Sequence, residues 1–431
     1  MRKAHFVSLG CAKNLVDSES AAGLLGSSGW AISAFPEDAD AVIINTCAFT
    51  REAREESNEE IKALSKKISP DAKFIICGCL AQKEKEKLFE QFPRADAVAG
   101  SADYRHICSI LQKLSASGAK RRGRVLCVGK ADFISGFSVP RLISTPRSYA
   151  YIKIAEGCSN HCSYCAIPSL RGEFRSRTEN DILREAAALA EMGIRELILI
   201  ANDSAFYLKD PRGRALGGLL KKLHRISAIR RIRILYMHPA HISEELINVI
   251  ASLPKVARYF DIPIQHTDDH ILARMGRSPF SETEALIDMI RKHIPAAALR
   301  TTFITGFPGE TEKRFNKLTQ DLKRLKFSWA GVFAYSPEKG TAAYDMSGRP
   351  SAAEALSRAK RLMEIQRKIS FEFSRGFAGK RLEVIADSPL AGRTEFQSPG
   401  VDGEVIFTKK QRPGAMKKML IRSSKGYDLL A

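Results

Sequence analysis

Two sets of cysteines in this 431-residue chain have the residue type and spacing of metal ligands. Cys158, Cys162 and Cys165 lie in the stretch EGCSNHCSYCAIP, with the spacing C-x3-C-x2-C. Three thiolates in one short loop suit an iron–sulfur cluster, which usually takes four ligands, and they leave one iron open to chelate a substrate. Zinc is the alternative metal, but a structural zinc site would require a fourth ligand. His161 could supply it, although it lies inside the loop.

The second set consists of Cys11, Cys47 and Cys79, each directly after an apolar run: HFVSLG, AVIINT and KFIICG. A helical pattern follows each run, and strands alternating with helices predict right-handed βαβ units around a parallel sheet. Ligands of such sheets bind at the carboxyl ends of the strands. We therefore expect the three thiols to converge on one edge of the sheet as a metal site. The alternative is three buried structural thiols.

The other cysteines carry weaker signals. Cys77 lies two residues before Cys79 and, if both belonged to one strand, would point to the same face. It could be a substitute ligand, although we favour a buried small hydrophobic residue. Cys108 and Cys127 lie outside any motif. His238 and His266 follow predicted strands, where each could touch a ligand or be an ordinary hydrogen-bonded histidine.

The elements that must position these residues predict an α/β protein of three parts. Residues 1–130 form the parallel α/β sheet domain, and residues 131–147, with several Ser and Pro, form a linker. In residues 148–373, six apolar runs separated by helical patterns predict a partial (β/α)6 barrel related to the eight-unit TIM barrel, whose active site lies at the carboxyl ends of the strands. Residues 374–431 contain short strands between Gly and Pro turns, which indicates a small OB-like β-barrel.

Composition limits the partners and the compartment. The formal net charge of +20 favours a polyanionic partner such as RNA or a ribonucleoprotein, although a solvated basic surface would give the same count. No apolar run approaches the ~18 residues of a membrane helix. No signal peptide is apparent, since Ser8 and Lys13 interrupt the N-terminal apolar stretch. We therefore expect a cytoplasmic protein with no membrane partner, in which the nine cysteines are reduced, buried or metal-bound.

The loop of Cys158, Cys162 and Cys165 resembles the signature of the radical S-adenosylmethionine superfamily, with Tyr164 at the aromatic position of that signature. The resemblance implies a 4Fe–4S cluster whose open iron binds S-adenosylmethionine. An electron from the cluster then cleaves the cofactor to a 5′-deoxyadenosyl radical, which abstracts hydrogen from an unactivated carbon.

The stretch TGFPGET follows the fifth predicted barrel strand and resembles the superfamily's contact with the adenosyl group. Gly306, Gly309 and Glu310, together with Tyr164, are therefore predicted cofactor-binding residues: the glycines permit close backbone approach and Glu310 offers an acceptor. The stretch is not a phosphate loop, because it lacks the Gly-Lys-Ser/Thr ending. We predict no catalytic side chain beyond the cluster ligands.

The motifs GCAKNLVDSE, NTCAFTREAREES and CGCLAQ resemble those of the methylthiotransferases within this superfamily. The resemblance implies that Cys11, Cys47 and Cys79 hold a second, auxiliary 4Fe–4S cluster, which carries sulfide or methylsulfide before insertion. One S-adenosylmethionine would methylate that sulfur, and a second would supply the radical.

Two branches of the family differ in substrate. VSLGCAKNLVDSE, with Ala12 in place of the usual proline, resembles the RimO branch, and AGRTEFQSPGVDGEVIF and GYDLLA resemble its TRAM module. This branch attaches a methylthio group to the β-carbon of an aspartate in small-subunit ribosomal protein twelve. It implies that protein as partner, either free or within the ribosomal subunit, with a low-potential electron donor such as flavodoxin or ferredoxin and a sulfide or polysulfide source.

Two other functions stay open. The first is methylthiolation of an N6-isopentenyl or N6-threonylcarbamoyl adenosine in tRNA, which uses the same six ligands. A more basic, aromatic-bearing β-module would favour it, and the modest charge of this one argues mildly against it. The second is a non-catalytic iron–sulfur or RNA-binding protein, which cleavage of S-adenosylmethionine would exclude.

Overall fold

The computed structural model describes residues 1–116 and 123–431, and its backbone divides into two compact units. The first unit contains residues 1–144, 155–159 and 166–182, and the second contains residues 145–154, 160–165 and 183–431. The three domain boundaries expected from the sequence stay a prediction. Among the described residues, no helix is both long and apolar enough to cross a membrane.

Strands and helices alternate through the first 127 residues. They are β1 (Lys3–Ser8), α1 (Ala12–Ser27), β2 (Ala31–Ile32), β3 (Ala41–Thr46), α2 (Arg51–Lys67), β4 (Lys73–Gly78), α3 (Cys79–Glu84), α4 (Lys87–Gln91), β5 (Ala97–Ala99), α5 (Ile107–Ala116) and β6 (Val125–Cys127). The strands form one parallel sheet in the order β2-β1-β3-β4-β5-β6.

The predicted parallel sheet is confirmed, and its order explains why three strand ends meet. β1, β3 and β4 are direct neighbours, and every residue of β3 is buried, as expected for a central strand covered on both faces. The sequence patterns identified these three strands but not β2, β5 and β6. Those three contain only two or three residues each, which is too short for a periodic pattern.

A second series of strands and helices occupies residues 149–375. They are β7 (Tyr149–Lys153), β8 (Ala155–Glu156), α6 (Ile167–Arg171), β9 (Arg175–Ser176), α7 (Glu179–Glu191), β10 (Glu196–Ile200), α8 (Arg214–His224), β11 (Arg231–Ile234), α9 (Glu244–Ser252), β12 (Tyr259–Asp261), α10 (Asp269–Met275), α11 (Phe280–His293), β13 (Ala298–Thr305), α12 (Glu312–Leu325), β14 (Trp329–Ala334) and α13 (Ala352–Arg375). β8 and β9 form an antiparallel pair within the first unit.

The six predicted barrel strands are all present in the second unit. They form two parallel three-stranded sheets, β11-β10-β7 and β12-β13-β14. The Met237 N–H donates to the Asp261 carbonyl at 2.9 Å, which links the end of the first sheet to the second. Because all six strands run parallel, the loops that follow them all lie at the same end of the barrel, as in other βα barrels.

The C-terminal residues form the predicted small β-module. Its strands are β15 (Arg381–Ala386), β16 (Ala391–Arg393), β17 (Val405–Ile406), β18 (Met416–Leu420), β19 (Ser423–Lys425) and β20 (Asp428–Leu430). They pair in the order β18-β15-β16-β17-β20-β19, and every pair is antiparallel except β17 with β20.

A buried ion-pair network fastens the β-module to the amino ends of the barrel strands. Glu196, the first residue of β10, is fully buried and its Oε1 lies 2.8 Å from Arg233 Nε. Its Oε2 lies 3.0 Å from Arg393 Nη2 of β16. Burial opposes ionisation of Glu196, but the charges of Arg393, Arg233 and Arg231 lower its pKa to about 2. The module therefore packs against the strand ends opposite to the loops that follow the strands.

We expect Glu196→Gln to lower the free energy of unfolding of the second unit by about 3 kcal/mol or more at pH 7, because it leaves buried guanidinium groups without their carboxylate. The native pKa lies below the ordinary value of 4.5. The carboxylate is therefore stabilising above pH 4.5, and this stabilisation is lost as the pH falls toward 2. The difference in the free energy of unfolding between variant and parent should therefore decrease as the pH falls from 4.5 toward 2.

Urea unfolding followed by the fluorescence of Trp329, in a Trp30→Phe background, measures the free energy of unfolding of each variant. Trp329 reports on the contact between the barrel and the β-module, because its Nε1 donates to the Phe396 carbonyl at 2.7 Å. Glu245→Gln is the control, since its ion pair with Arg214 is exposed and should contribute little. Equal unfolding curves for Glu196→Gln and its parent would contradict the prediction.

Candidate functional site

Cys11, Cys47 and Cys79 lie at the carboxyl ends of three adjacent strands. Cys11 precedes α1 with an extended backbone, Cys47 follows the last residue of β3, and Cys79 is the first residue of α3. Gly10 comes close to this group: its φ is +85°, and a Cβ there would lie 2.8 Å from Cys47 Sγ. The structure thus brings the three predicted thiols to one edge of the sheet.

Burial and neighbouring charges shift the pKa values of these thiols. Burial, together with negative charge on Cys11 and Cys79, raises the pKa of Cys47 to about 12. Burial also opposes ionisation of Cys11, but Lys13 and Arg171 outweigh it and lower the pKa of that thiol. Because the thiols repel one another when ionised, a bound cation would stabilise all three as thiolates. The residues therefore fit a metal cluster.

Asn14 holds together the strand ends that carry Cys11 and Cys47. Its Nδ2 donates to the Leu9 carbonyl at 2.9 Å and to the Thr46 carbonyl at 3.0 Å, and these two carbonyls lie just before the two cysteines. Asn45 Nδ2 donates in return to the Asn14 carbonyl at 2.9 Å. The fully buried Asn14 thus fixes the spacing of two predicted ligands, a role that its position in the sequence did not indicate.

Arg171, at the end of α6, lies against the same site. The residue is 3% exposed, and its Nε donates to Cys79 Sγ at 3.3 Å. Its Nη1 lies 2.6 Å from Asp17 Oδ2 and 3.3 Å from Glu156 Oε2. Burial alone would lower the pKa of Arg171, but Cys79, Glu156 and Asp17 raise it well above its ordinary value. The guanidinium is therefore a fixed positive charge beside the thiols.

The expected orientation of Cys77 is wrong. Cys77 is 3% exposed and packs in a core cluster with Ile43 and Ile75, whereas Cys79 packs in a separate cluster with Ile44 and Ile76. The physical reason is that the strand ends at Gly78, whose φ of +97° turns the chain into α3. The two cysteines therefore do not alternate within one strand. Burial raises the pKa of the Cys77 thiol, consistent with a buried small hydrophobic residue.

The loop with the second cysteine set spans both compact units, so its parts are described in turn. In the first unit, the Cys158 N–H donates to the Gly172 carbonyl at 3.0 Å. Gly157, with a φ of +76°, lies so close to the backbone of Gly172 and Glu173 that a Cβ would collide with it. These contacts fix the backbone of Cys158 directly after β8.

In the second unit, Cys162 and Cys165 are held by a tight turn. The Cys165 N–H donates to the Cys162 carbonyl at 3.1 Å, and the Ser163 N–H donates to the Met275 carbonyl at 3.1 Å. Ser163 Oγ donates to the Arg274 carbonyl at 2.7 Å, so α10 holds the turn in place.

Tyr164 lies between the cysteine turn and the TGFPGET loop. It packs against a core cluster that includes Met275, Phe307 and Tyr335. Burial raises its pKa well above the ordinary value, and negative charge on Cys162 and Cys165 adds to this. Tyr164 therefore stays neutral and fills an apolar position next to the thiols.

Glu310 is a buried carboxylate with protein partners on both oxygens. Oε1 accepts from the Gly306 N–H at 3.0 Å and from Arg358 Nη1 at 2.7 Å, and Oε2 lies 3.2 Å from His266 Nε2. Burial alone would raise the pKa of Glu310, but these partners lower it. Gly309 has a φ of +91° and its N–H donates to the Gly348 carbonyl at 2.7 Å. Cofactor binding by Tyr164, Gly306, Gly309 and Glu310 stays a prediction, and the hydrogen bonds of Glu310 and Gly309 hold the loop in place.

We expect Gly306→Ala to destabilise the second unit by about 2 kcal/mol or more. Its φ of +73° disfavours a side chain, and a Cβ would collide with Ala355 Cβ of α13. Thermal unfolding followed by circular dichroism should show a lower midpoint, and adding Ala355→Gly should recover part of the loss. Gly218→Ala is the matched control, because a Cβ there meets open space within α8. A midpoint unchanged by Gly306→Ala would contradict the prediction.

A set of polar residues beside the cysteine turn was only partly visible in the sequence. His241 Nδ1 lies 2.6 Å from Asp203 Oδ2, and the His238 N–H donates to Asp203 Oδ1 at 3.2 Å. Asn160, from the cysteine loop, donates to the same carboxylate at 3.0 Å. His238 was noted as a residue at a strand end, whereas Asp203 and His241 were missed. The pair His238 and His241 in HPAH was the signal that could have found them.

Three family models match the chain. Residues 3–100 match an uncharacterised protein family designated UPF0004, residues 152–322 match the radical SAM superfamily, and residues 378–431 match the TRAM domain.

Curated relatives match over the full length. The chain is 42% identical over 442 residues to a protein named ribosomal protein uS12 methylthiotransferase RimO from Syntrophus aciditrophicus, with 99% of this chain and 97% of the relative covered. It is 40% identical over 440 residues to the RimO protein of Caldicellulosiruptor saccharolyticus, covering 100% and 99% of the two chains. The RimO protein of Heliobacterium modesticaldum is 40% identical over 438 residues, covering 99% and 94%.

Solved structures share the fold at low identity. The radical S-adenosylmethionine methyltransferase TsrM from Kitasatospora setae, with cobalamin and a [4Fe-4S] cluster bound, aligns with a TM-score of 0.57 at 16% identity, covering 80% of this chain and 77% of that one. The cobalamin-dependent radical enzyme OxsB aligns with a TM-score of 0.52 at 12% identity, covering 86% and 58%.

Proposed function

Because the chain belongs to the RimO family of ribosomal protein uS12 methylthiotransferases, we propose that it attaches a methylthio group to the β-carbon of one aspartate of uS12. It is a radical S-adenosylmethionine methylthiotransferase, since the radical SAM model and full-length RimO relatives both match. Membership of the superfamily implies a 4Fe–4S cluster and S-adenosylmethionine as cofactors.

The observation that carries the proposal is the convergence of Cys11, Cys47 and Cys79 at one edge of the parallel sheet. Radical chemistry alone requires only the loop of Cys158, Cys162 and Cys165. A second set of three thiols, with Lys13 and Arg171 as compensating charges, supports a second 4Fe–4S cluster with one open iron. When bound, the two clusters and S-adenosylmethionine supply the electron, the radical, the methyl group and the sulfur attachment point.

The protein's own residues bind and orient these groups. Asn14 keeps the strand ends of Cys11 and Cys47 together, and α10 fixes the turn of Cys162 and Cys165 through Ser163. Tyr164 supplies an apolar surface beside that turn. We assign Gly306, Gly309 and Glu310 to the loop beside the adenosyl group, in which the bonds of Glu310 keep the backbone in one conformation.

We further propose that the enzyme works in the cytoplasm, with a low-potential electron donor such as flavodoxin or ferredoxin and a sulfide or polysulfide source. The net charge of +20 suits a substrate that lies within an RNA-rich ribosomal subunit. The proposed domains are residues 1–130, 148–373 and 374–431, with a linker at residues 131–147.

The choice of substrate is tested by competition. Anaerobically reconstituted enzyme, with reductant, sulfide and S-adenosylmethionine, is given a peptide from the uS12 aspartate loop and a tRNA anticodon stem-loop carrying N6-isopentenyladenosine. The proposal predicts that mass spectrometry finds the methylthio group on the peptide and none on the RNA. Modification of the RNA alone would refute it in favour of the tRNA branch, and absence of S-adenosylmethionine cleavage by fully loaded protein would favour a non-catalytic role.

A further inference from the structure

The side chain of Arg171 meets four acceptors inside the first compact unit. Nε donates to Cys79 Sγ at 3.3 Å, Nη1 contacts Asp17 and Glu156, and Nη2 donates to Asn14 Oδ1. Arg171 is only 3% exposed, and burying a guanidinium is costly unless charged or polar partners compensate for the water it loses. The two carboxylates alone would neutralise the positive charge. The additional bond from Nε–H to the sulfur of Cys79 is not needed for that purpose.

Two of these contacts lead to the predicted auxiliary ligands. The bond to Cys79 is direct. The bond to Asn14 Oδ1 fixes the orientation of the amide, whose Nδ2 holds the carbonyls of Leu9 and Thr46. Through one side chain and one amide, Arg171 thus acts on the positions of all three thiols.

The same segment also reaches the other cysteine set. Gly172, the next residue after Arg171, accepts the backbone hydrogen bond of Cys158, and Glu156 lies two residues before that cysteine. The segment that carries the guanidinium is therefore anchored to the strand that leads into the radical-cluster loop. A shift of Arg171 would therefore disturb both its contact with Cys79 and the backbone bond between Gly172 and Cys158.

We propose that Arg171 is a positioning residue for the cluster held by Cys11, Cys47 and Cys79, and that its hydrogen bond to the Cys79 thiolate raises the reduction potential of that cluster. This inference rests on the proposed function, since it takes the auxiliary cluster as given. Hydrogen bonds to cluster sulfurs and nearby positive charge stabilise the reduced, more negative cluster. Arginine suits the role because its planar fork can serve a thiolate, two carboxylates and an amide at once, which a lysine ammonium cannot.

The test isolates the auxiliary site in the full chain. A parent variant with Cys158, Cys162 and Cys165 all changed to Ala is reconstituted with iron and sulfide, and its cluster is titrated anaerobically against redox mediators by EPR. In this parent, Arg171→Lys should shift the one-electron reduction equilibrium at least tenfold toward the oxidised cluster, which is about 59 mV lower in potential. The double variant Arg171→Met with Asp17→Asn removes one charge of each sign and should give a shift of the same sign.

Arg177→Lys is the matched control, because Arg177 is similarly buried but its ion pair is with Asp181 at 2.6 Å. Its potential should equal that of the parent. Unchanged potentials in both Arg171 variants at full iron content would overturn the inference and leave the proposed function intact. Loss of iron from a folded Arg171 variant would support the role of Arg171 in positioning the cluster ligands. Loss of iron together with unfolding would overturn that role and show that Arg171 only stabilises the fold through its ion pairs. A parent that binds no cluster would instead refute the auxiliary cluster itself.

Discussion

Replacing Cys162 by alanine is expected to abolish both reductive cleavage of S-adenosylmethionine and methylthiolation of the uS12 peptide. The rates should fall below about one thousandth of wild type, which corresponds to roughly 4 kcal/mol or more in the activation barrier. The physical reason is that Cys162 is one of only three thiols in the loop and is held in its turn by the bond from the Cys165 N–H. Without it, the cluster that supplies the electron loses a ligand.

The measurement is formation of 5′-deoxyadenosine under anaerobic, reducing conditions, with iron content determined on the same sample. Cys127→Ala is the matched control, because Cys127 is a part-buried cysteine of β6 that belongs to neither set. It should retain the wild-type rate. A Cys162→Ala protein that still cleaved S-adenosylmethionine at the wild-type rate would disprove the assignment of this loop.

Replacing Cys47 by alanine is expected to separate the two activities. Iron content should fall from two clusters to one, cleavage of S-adenosylmethionine should continue, and transfer of the methylthio group should drop below about one thousandth of wild type. Cys47 is 8% exposed and adjoins Gly10 at the shared edge of the sheet, so alanine removes one thiolate without adding volume. The loop of Cys158, Cys162 and Cys165 keeps its three thiols.

Cys77→Ala is the control for this second variant. Cys77 is also buried and lies only two residues from Cys79, yet it packs in the core on the other face of the sheet. The variant should keep both clusters and full transfer, with at most a small loss of stability. If Cys77→Ala lost the auxiliary cluster while Cys47→Ala kept it, the ligand assignment would be wrong.

The sequence predicted the elements whose signals are local. Cys11, Cys47 and Cys79 each follow a strand of six residues, long enough for an apolar run to be recognised, and parallel topology then brings their ends together. The six barrel strands and α13 were found in the same way. The error at Cys77 has a local cause as well: a single residue, Gly78, ends the strand with a positive φ, and the apolar run does not reveal this.

The parts that were missed depend on contacts between distant residues. Arg171 reaches Asn14 across 157 positions and Cys79 across 92, so no pattern near Arg171 identifies it. The network of Glu196 with Arg393 likewise joins the barrel to a module almost 200 positions away. Buried charges are rare and are decided by their partners, which only the folded chain brings together.

The central claim is that the radical acts on the β-carbon of the aspartate that receives the methylthio group. The most direct test uses a uS12 loop peptide whose aspartate carries deuterium at the β-carbon, incubated with enzyme that holds both clusters. The account predicts that deuterium appears in 5′-deoxyadenosine and that tandem mass spectrometry places the methylthio group on the same aspartate. Cleavage of S-adenosylmethionine with all deuterium retained in an unmodified peptide would contradict it.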